Sequence, residues 1–189
     1  MTEIVLVRHA ATSWSGRRYC GRSDPALSTA GRAGARVLAD ALAPTLARKV
    51  LIVTSPAQRA RQTAAAIAAA AGVDGIEVDD RWQEADFGIA EGRTFDELAA
   101  LDPAIAAALA GGATDVDWPG GETAGDLAAR VAAAWAGLGA RARPAVVVSH
   151  AGVIRQAVAL ARSTSASSVA LPEPATAVRL VLPENRRDG

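Results

Sequence analysis

The 189-residue sequence contains one cysteine, Cys20, one lysine, Lys49, and two histidines, His9 and His150. A single cysteine excludes an intrachain disulfide and any cysteine-cluster metal site. Aromatic residues make up only 4% of the chain, and no apolar stretch is long and charge-free enough to cross a bilayer. Neither sign of charge dominates, since twenty basic residues balance twenty acidic ones. That balance argues against bulk attraction to nucleic acid or an anionic membrane, yet leaves room for a small basic pocket. Residues Met1 to His9 lack the basic segment and long apolar run of a signal peptide. These absences lead to the expectation of a cytoplasmic protein acting on a small molecule.

Half of the residues are hydrophobic, enough to give one domain (1–189) a sizeable core. Alanine dominates that half, which favours helices packed over something flatter. Ile4 to Val7, Val50 to Val53 and Ala145 to Val148 read as short buried strands. Ile76 to Val78 is a fourth candidate, and Ala177 to Leu182, which ends at Pro183, fits an edge strand. Helices are expected from about Ala30 to Leu42 behind a Ser28 cap, and from Pro56, in a first helical turn, to near Gly72. Others follow Thr94, start at Pro103, and run from a Thr123–Asp126 capping box to about Gly139 and from Gly152 to Ala161. This alternation predicts a three-layer α/β/α sandwich with a largely parallel sheet. Residues 183–189 have the composition of a frayed end.

Each histidine follows a buried run: Arg8-His9 closes the first strand and Ser149-His150 closes the Val146 strand. Strand carboxyl ends of an open parallel sheet converge on one rim, where ligands bind, so the two imidazoles are candidates for one site. A third strand end leads through Ser55 to Arg59, placed in the first turn of a helix, where free N–H groups and the dipole favour an anion. Of Arg59 and Arg61, one is expected to be solvated. The abundance of arginine over lysine suits phosphate, although genome composition produces the same bias. Glu84 and Asp86 lie in the loop after the Ile76 strand, and a carboxyl buried beside phosphate can serve as a general acid.

Five segments then resemble the histidine phosphatase superfamily in its phosphoglycerate-mutase-like branch. They are Leu6 to His9, Gly21 to Ser28, Ser55 to Thr63, Glu84 to Gly92, and Val147 to Arg155, in that order. The resemblance implies a phosphoglycerate-mutase-like fold and a metal-independent phosphoric monoester hydrolase without a cofactor. It implies His9 as the nucleophile that becomes phosphohistidine, with Arg8, Arg59 and a cationic His150 holding the phosphoryl oxygens. Glu84 is implied as general acid and base.

Two positions depart from the family pattern. Ala10 stands where glycine usually follows the histidine, and a positive φ there would strain it by about 1 kcal/mol. Ser15 stands where many relatives carry a phosphate-contacting asparagine, with Thr12 and Ser13 as replacement hydroxyls. Gly21 and Arg22 belong to a stretch similar to that of α-ribazole and related acid phosphatases, and Arg17, Arg18 and Arg22 can flank the pocket. Trp14, Trp82 and Trp118 are loop aromatics able to line it. The stretch Ala90 to Glu97 is short and acidic, lacking the added basic segment of the glycolytic mutases, which favours hydrolysis over mutase chemistry. A phosphoglycerate-type mutase and a non-catalytic phosphoryl-ligand binding module remain the alternatives; a nucleotide-binding protein lacks its Gly-rich loop here. Oligomeric state is left open, a homodimer included.

Overall fold

The computed structural model describes residues 2–47 and 49–182, so the expected fraying of 183–189 lies outside the described residues. Each apolar run forms a strand: β1 (Thr2–Arg8), β2 (Leu51–Thr54), β3 (Glu77–Val78), β4 (Ala145–Ser149) and β5 (Ala177–Leu182). They lie side by side in the order β3-β2-β4-β1-β5. The first four are parallel, and β5 is the edge strand, pairing antiparallel with β1. The Ile76 candidate shrinks to two exposed residues, Glu77 and Val78, at the opposite edge.

Strand alternation sorts the side chains into two layers of core. Ile4, Leu6, Leu51, Val53, Ala145 and Val147 face one way, where α5 (Ala124–Arg141) and α6 (Ala151–Arg162) cover them with Val131, Trp135, Leu138, Ile154 and Val158. Val5, Val7, Ile52, Val146 and Val148 face the other way, under Ala39, Leu42, Ala60, Ala64 and Ile67 of α1 (Thr29–Leu42) and α2 (Gln58–Ala71). The alanines keep these two helices close to the sheet. Ile67 is wholly buried, and truncating such a residue to alanine costs about 2–5 kcal/mol. The sandwich therefore has three layers, as expected.

Local signals set most boundaries. Ser28 Oγ accepts from Gly31 N at 2.9 Å to open α1, and Thr94 and Glu97 form a reciprocal capping box on α3 (Phe95–Leu101). Asp102 caps α4 (Pro103–Ala110). Gly72, at φ 62, closes α2 in the left-handed conformation that glycine adopts without cost. Pro56 departs from expectation: it precedes α2 rather than entering its first turn. Ser55 Oγ accepts from Ala57 N, and Asp24 Oδ1 takes Gln58 N at 2.6 Å, so the helix begins two residues later than the proline suggests. The α5 helix runs to Arg141, past the expected Gly139. Among the described residues, no helix is long and apolar enough to cross a membrane.

Candidate active site

Register brings the two histidines together. In the parallel ladders Arg8 pairs with Ser149, and Val148 with Thr54, so the residues that follow, His9, His150 and Ser55, emerge side by side. His9 N donates to Ser149 O at 2.9 Å, and Ser55 N donates to Val148 O at 2.9 Å, each one residue past its strand. The imidazole centroids lie 5.1 Å apart, edge to face.

Hydrogen bonds assign both tautomers. His9 Nδ1 lies 2.8 Å from the Ala10 carbonyl, which can only accept, so Nδ1 carries the proton and Nε2 keeps a lone pair. Arg59 Nε donates to that Nε2 at 3.3 Å. Ser55 donates its hydroxyl proton to Gln83 Oε1 and accepts from His150 Nε2 at 2.7 Å, leaving His150 Nδ1 to accept from Arg59 Nη2 at 3.2 Å. Burial first, then the Arg59 charge, pushes His9 down to about 3. Burial first, then neighbouring positive charge, holds His150 well below the usual imidazole range. The expectation of a cationic His150 runs against this direction, since burial beside Arg59 favours the neutral form of both rings.

Arg59 is fully buried although charged. Ser23 O accepts from its Nη1 at 2.6 Å, and Gly21 O and Cys20 O accept from Nη2 at 2.8 and 3.3 Å. The loop that offers these carbonyls is itself fixed by Glu91, a residue to which the sequence assigned no role. The Glu91 carboxylate accepts from Gly21 N, Arg22 N, Ser23 N, Ser23 Oγ and Phe87 N at 2.6–3.3 Å. A Cβ at Gly21 would lie 2.1 Å from Ala85 O, so the glycine permits the close backbone approach. Arg61 is the exposed member of the pair.

Glu84 is buried at the start of α6, where its Oε2 accepts from Gly152 N at 3.2 Å and its Oε1 from Ala85 N at 3.1 Å. Burial raises its pKa against the opposing pull of these amides and of Arg59 and Arg8. Arg8 donates through Nη1 to Pro172 O at 2.6 Å, and its buried Nε has no partner among the described residues.

A cavity of about 470 Å³ opens over this floor, with Arg8, His9, Thr12, Ser15 and Glu84 on its wall. Arg59 and His150 lie behind His9 rather than on the cavity surface, and neither lines it. Gly21 and Arg22 also fail to reach it: Gly21 serves the Arg59 loop, and Arg22 lies on the surface, 3.9 Å from Glu122. Of the flanking arginines Arg18 lines the cavity; Arg17 is exposed and does not. Ala10 is not among the positive-φ residues, so alanine carries no strain there; its N donates to Thr63 Oγ1 at 3.0 Å. Ser15 Oγ accepts from Thr12 N at 2.9 Å, which couples the two hydroxyl residues. Trp14 and Trp118 line the cavity, whereas Trp82 is fully buried in the core under α5 and α6. The outer wall is apolar: Tyr19, Phe87 and Trp118 pack on one another, ring centroids 4.4–6.2 Å apart, over Leu98 and Ile105.

An imidazole with a free Nε2, backed by a guanidinium and facing a carboxyl of raised pKa, on the carboxyl rim of a parallel sheet, has the equipment for phosphoryl transfer to histidine. The profile of the histidine phosphatase superfamily (branch 1) matches residues 4–187, and the chain belongs to that family. Its fold is phosphoglycerate-mutase-like, and the family includes enzymes of phosphatase and mutase type. A bifunctional protein of Mycobacterium tuberculosis is 37% identical over 157 residues, 80% of this chain but only 39% of that protein. The phosphoglycerate mutase-like protein 4 of Arabidopsis thaliana is 34% identical over 168 residues, 86% of this chain and 72% of that one. Among solved structures, a mycobacterial glucosyl-3-phosphoglycerate phosphatase complexed with VO3 superposes with a TM-score of 0.84 at 30% identity, covering 96% of this chain and 93% of that one.

Proposed function

We propose that the protein is a phosphatase that hydrolyses small-molecule phosphomonoesters through a phosphohistidine on His9. The observation that carries this reading is the His9 hydrogen bond to Ala10 O, which leaves Nε2 unprotonated on a ring that lines a cavity shared with Glu84. In the first step Nε2 attacks phosphorus and the ester P–O bond breaks. Protonated Glu84 gives its proton to the departing oxygen. In the second step Glu84, now a carboxylate, takes a proton from water as the water oxygen attacks the phosphohistidine. Phosphate leaves, and His9 and Glu84 return to their starting states. An entering phosphoryl group competes with His9 for the long 3.3 Å bond from Arg59 Nε, so that guanidinium turns from the ring to an oxygen. Arg8, which lines the same cavity, holds another oxygen. Thr12 and Ser15 supply hydroxyls beside it, and His150 keeps Arg59 in place from behind. Hydrolysis is favoured over mutase chemistry because Glu91 and Glu97 in the 90–97 segment are tied to loop and cap amides rather than replaced by cations that enclose a substrate carboxylate. The phosphatase named in the structural match above points the same way.

The test is phosphate release from p-nitrophenyl phosphate and from sugar, nucleoside and glycerate phosphates, with EDTA present and His9→Ala in parallel. EDTA-resistant release that disappears in the variant is expected. Release that persists in His9→Ala sinks the mechanism, and interconversion of 2- and 3-phosphoglycerate without release replaces it with a mutase.

A further inference from the structure

Five charged side chains line the cavity, and three are neutralised from within the protein. Arg18 is paired with Glu97 at 3.2 Å and donates to Gly92 O. Glu122 accepts two hydrogen bonds from Arg130, at 2.9 and 2.7 Å. Glu84 is held by two amides and favours its neutral form. That leaves Arg8, beside His9, and Arg155.

Arg155 lies in α6, where Ala151, Gly152, Arg155 and Gln156 present one helix face to the cavity. Its Nε is buried, and among the described residues its guanidinium has no hydrogen bond or ion pair. It shares the cavity lining with Arg8, His9 and Glu84 of the floor and with Phe87 and Trp118 of the outer wall, and the charges of Asp115 and Glu84 act on it. Asp115 is exposed and makes no ion pair with it. A half-buried guanidinium kept without a partner forgoes charge-assisted hydrogen bonds, and a ligand that supplies an anionic acceptor makes them. The phosphoryl group belongs to Arg8 and His9. The anion that Arg155 can take is therefore a different one.

We propose that Arg155 binds a second anionic group, a carboxylate or a second phosphate, on the leaving alcohol of the phosphomonoester. Acidic phosphomonoesters are then the preferred substrate class. This rests on the phosphatase reading given above. The Tyr19, Phe87 and Trp118 wall faces the carbon skeleton between the two anions, contributing shape rather than charge.

The test uses substrate pairs that differ in one group: 3-phosphoglycerate against glycerol 3-phosphate for a carboxylate, and fructose 1,6-bisphosphate against fructose 6-phosphate for a phosphate. Each ratio of kcat/KM is taken within one preparation, so loss of folded protein cancels. The wild type is expected to prefer the acidic member of at least one pair by roughly 10- to 100-fold. Arg155→Met removes that preference through KM, and Arg155→Lys keeps part of it. Loss confined to one pair identifies the anion. No preference in the wild type, or the same preference in Arg155→Met, overturns the proposal. If no substrate releases phosphate, the phosphatase reading fails separately, and calorimetric binding of the same pairs decides the question. An acid-over-alcohol affinity ratio lost in Arg155→Met supports the anion site, and an unchanged ratio refutes it.

Discussion

The floor and the outer wall of the cavity are built on different principles. On the floor most polar groups are fixed before any substrate arrives: Arg59 by three loop carbonyls, that loop by Glu91, His150 by Ser55 and Arg59, and Glu84 by two amides. The outer wall is a patch of half-buried rings resting on Leu98 and Ile105, with Arg155 unpaired beside it. A preorganised floor suits charge development in a transition state, because little beyond the Arg59 Nε bond need reorient during the reaction. A wall of side chains in van der Waals contact can be altered one residue at a time at small cost. Chemistry and selectivity are thus separated in space and in how tightly they are specified.

Substitutions graded from floor to wall can break that contrast. Arg59→Ala removes a buried charge and orphans the Ser23, Gly21 and Cys20 carbonyls. A stability loss of about 3–5 kcal/mol is expected with a fall in kcat/KM of about 10³-fold or more. A stable, active variant, read by thermal melting and phosphate release, would show that the floor is not a framework at all.

Glu84→Gln comes next, with kcat on alkyl phosphates falling by about 10²–10⁴-fold and far less on p-nitrophenyl phosphate, whose leaving group needs no proton. The pH profile sharpens this. Protonated Glu84 is the active form for the first step, so the alkyl phosphate rate falls as pH rises through its raised pKa; the Gln variant lacks that limb. On the acid side His9 remains unprotonated down to about 3, so protonation of the nucleophile takes no activity until that range. The same depression costs stability in acid: the native state binds fewer protons than the unfolded chain below pH 6.5, at roughly 1.4 kcal/mol per pH unit until His9 titrates.

Gly152→Ala tests the link between floor and helix. Its Cβ would lie 2.8 Å from Glu84 Oε1, which must shift. A loss of about 10-fold on alkyl phosphates is expected, again with little change on p-nitrophenyl phosphate; equal losses on both would mean the carboxyl had not been the group disturbed. Trp118→Ala is the mildest, raising KM for aromatic esters by about 2- to 10-fold with kcat retained. A drop in kcat comparable to that of Glu84→Gln would erase the distinction between wall and floor.

The layers were legible because β-branched runs and helix caps are local signals: Ser28, Thr94 and Thr123 each cap the helix that their spacing announced. The two histidines were legible as strand-end residues, and the parallel register explains why they meet. The state of the site was not. Whether Arg59 touches ligand or loop depends on the backbone path of residues 20–23, and Glu91, which fixes that path, reads in sequence as one acid in an acidic stretch. Burial, rather than residue type, removes the charge from His150. Trp82 and Trp118 look alike in sequence, yet one fills the core under α5 and the other meets solvent, because only the fold decides which loop lies over the sheet. Arg155 closed a recognised motif without a role, since an unpaired guanidinium is visible only when its surroundings are.

Strand order has a consequence for how the protein comes into being. β1, made first, hydrogen-bonds only to β4 and β5, so residues 2–8 have no neighbour in the sheet until the segment at 145–149 has been synthesised. Contacts so distant along the chain form late, and an unpaired apolar strand is open to misassembly while it waits. His9 and His150 therefore become neighbours only after the chain has been made through residue 150. A nascent or truncated chain that stops before β4 holds only half of this site.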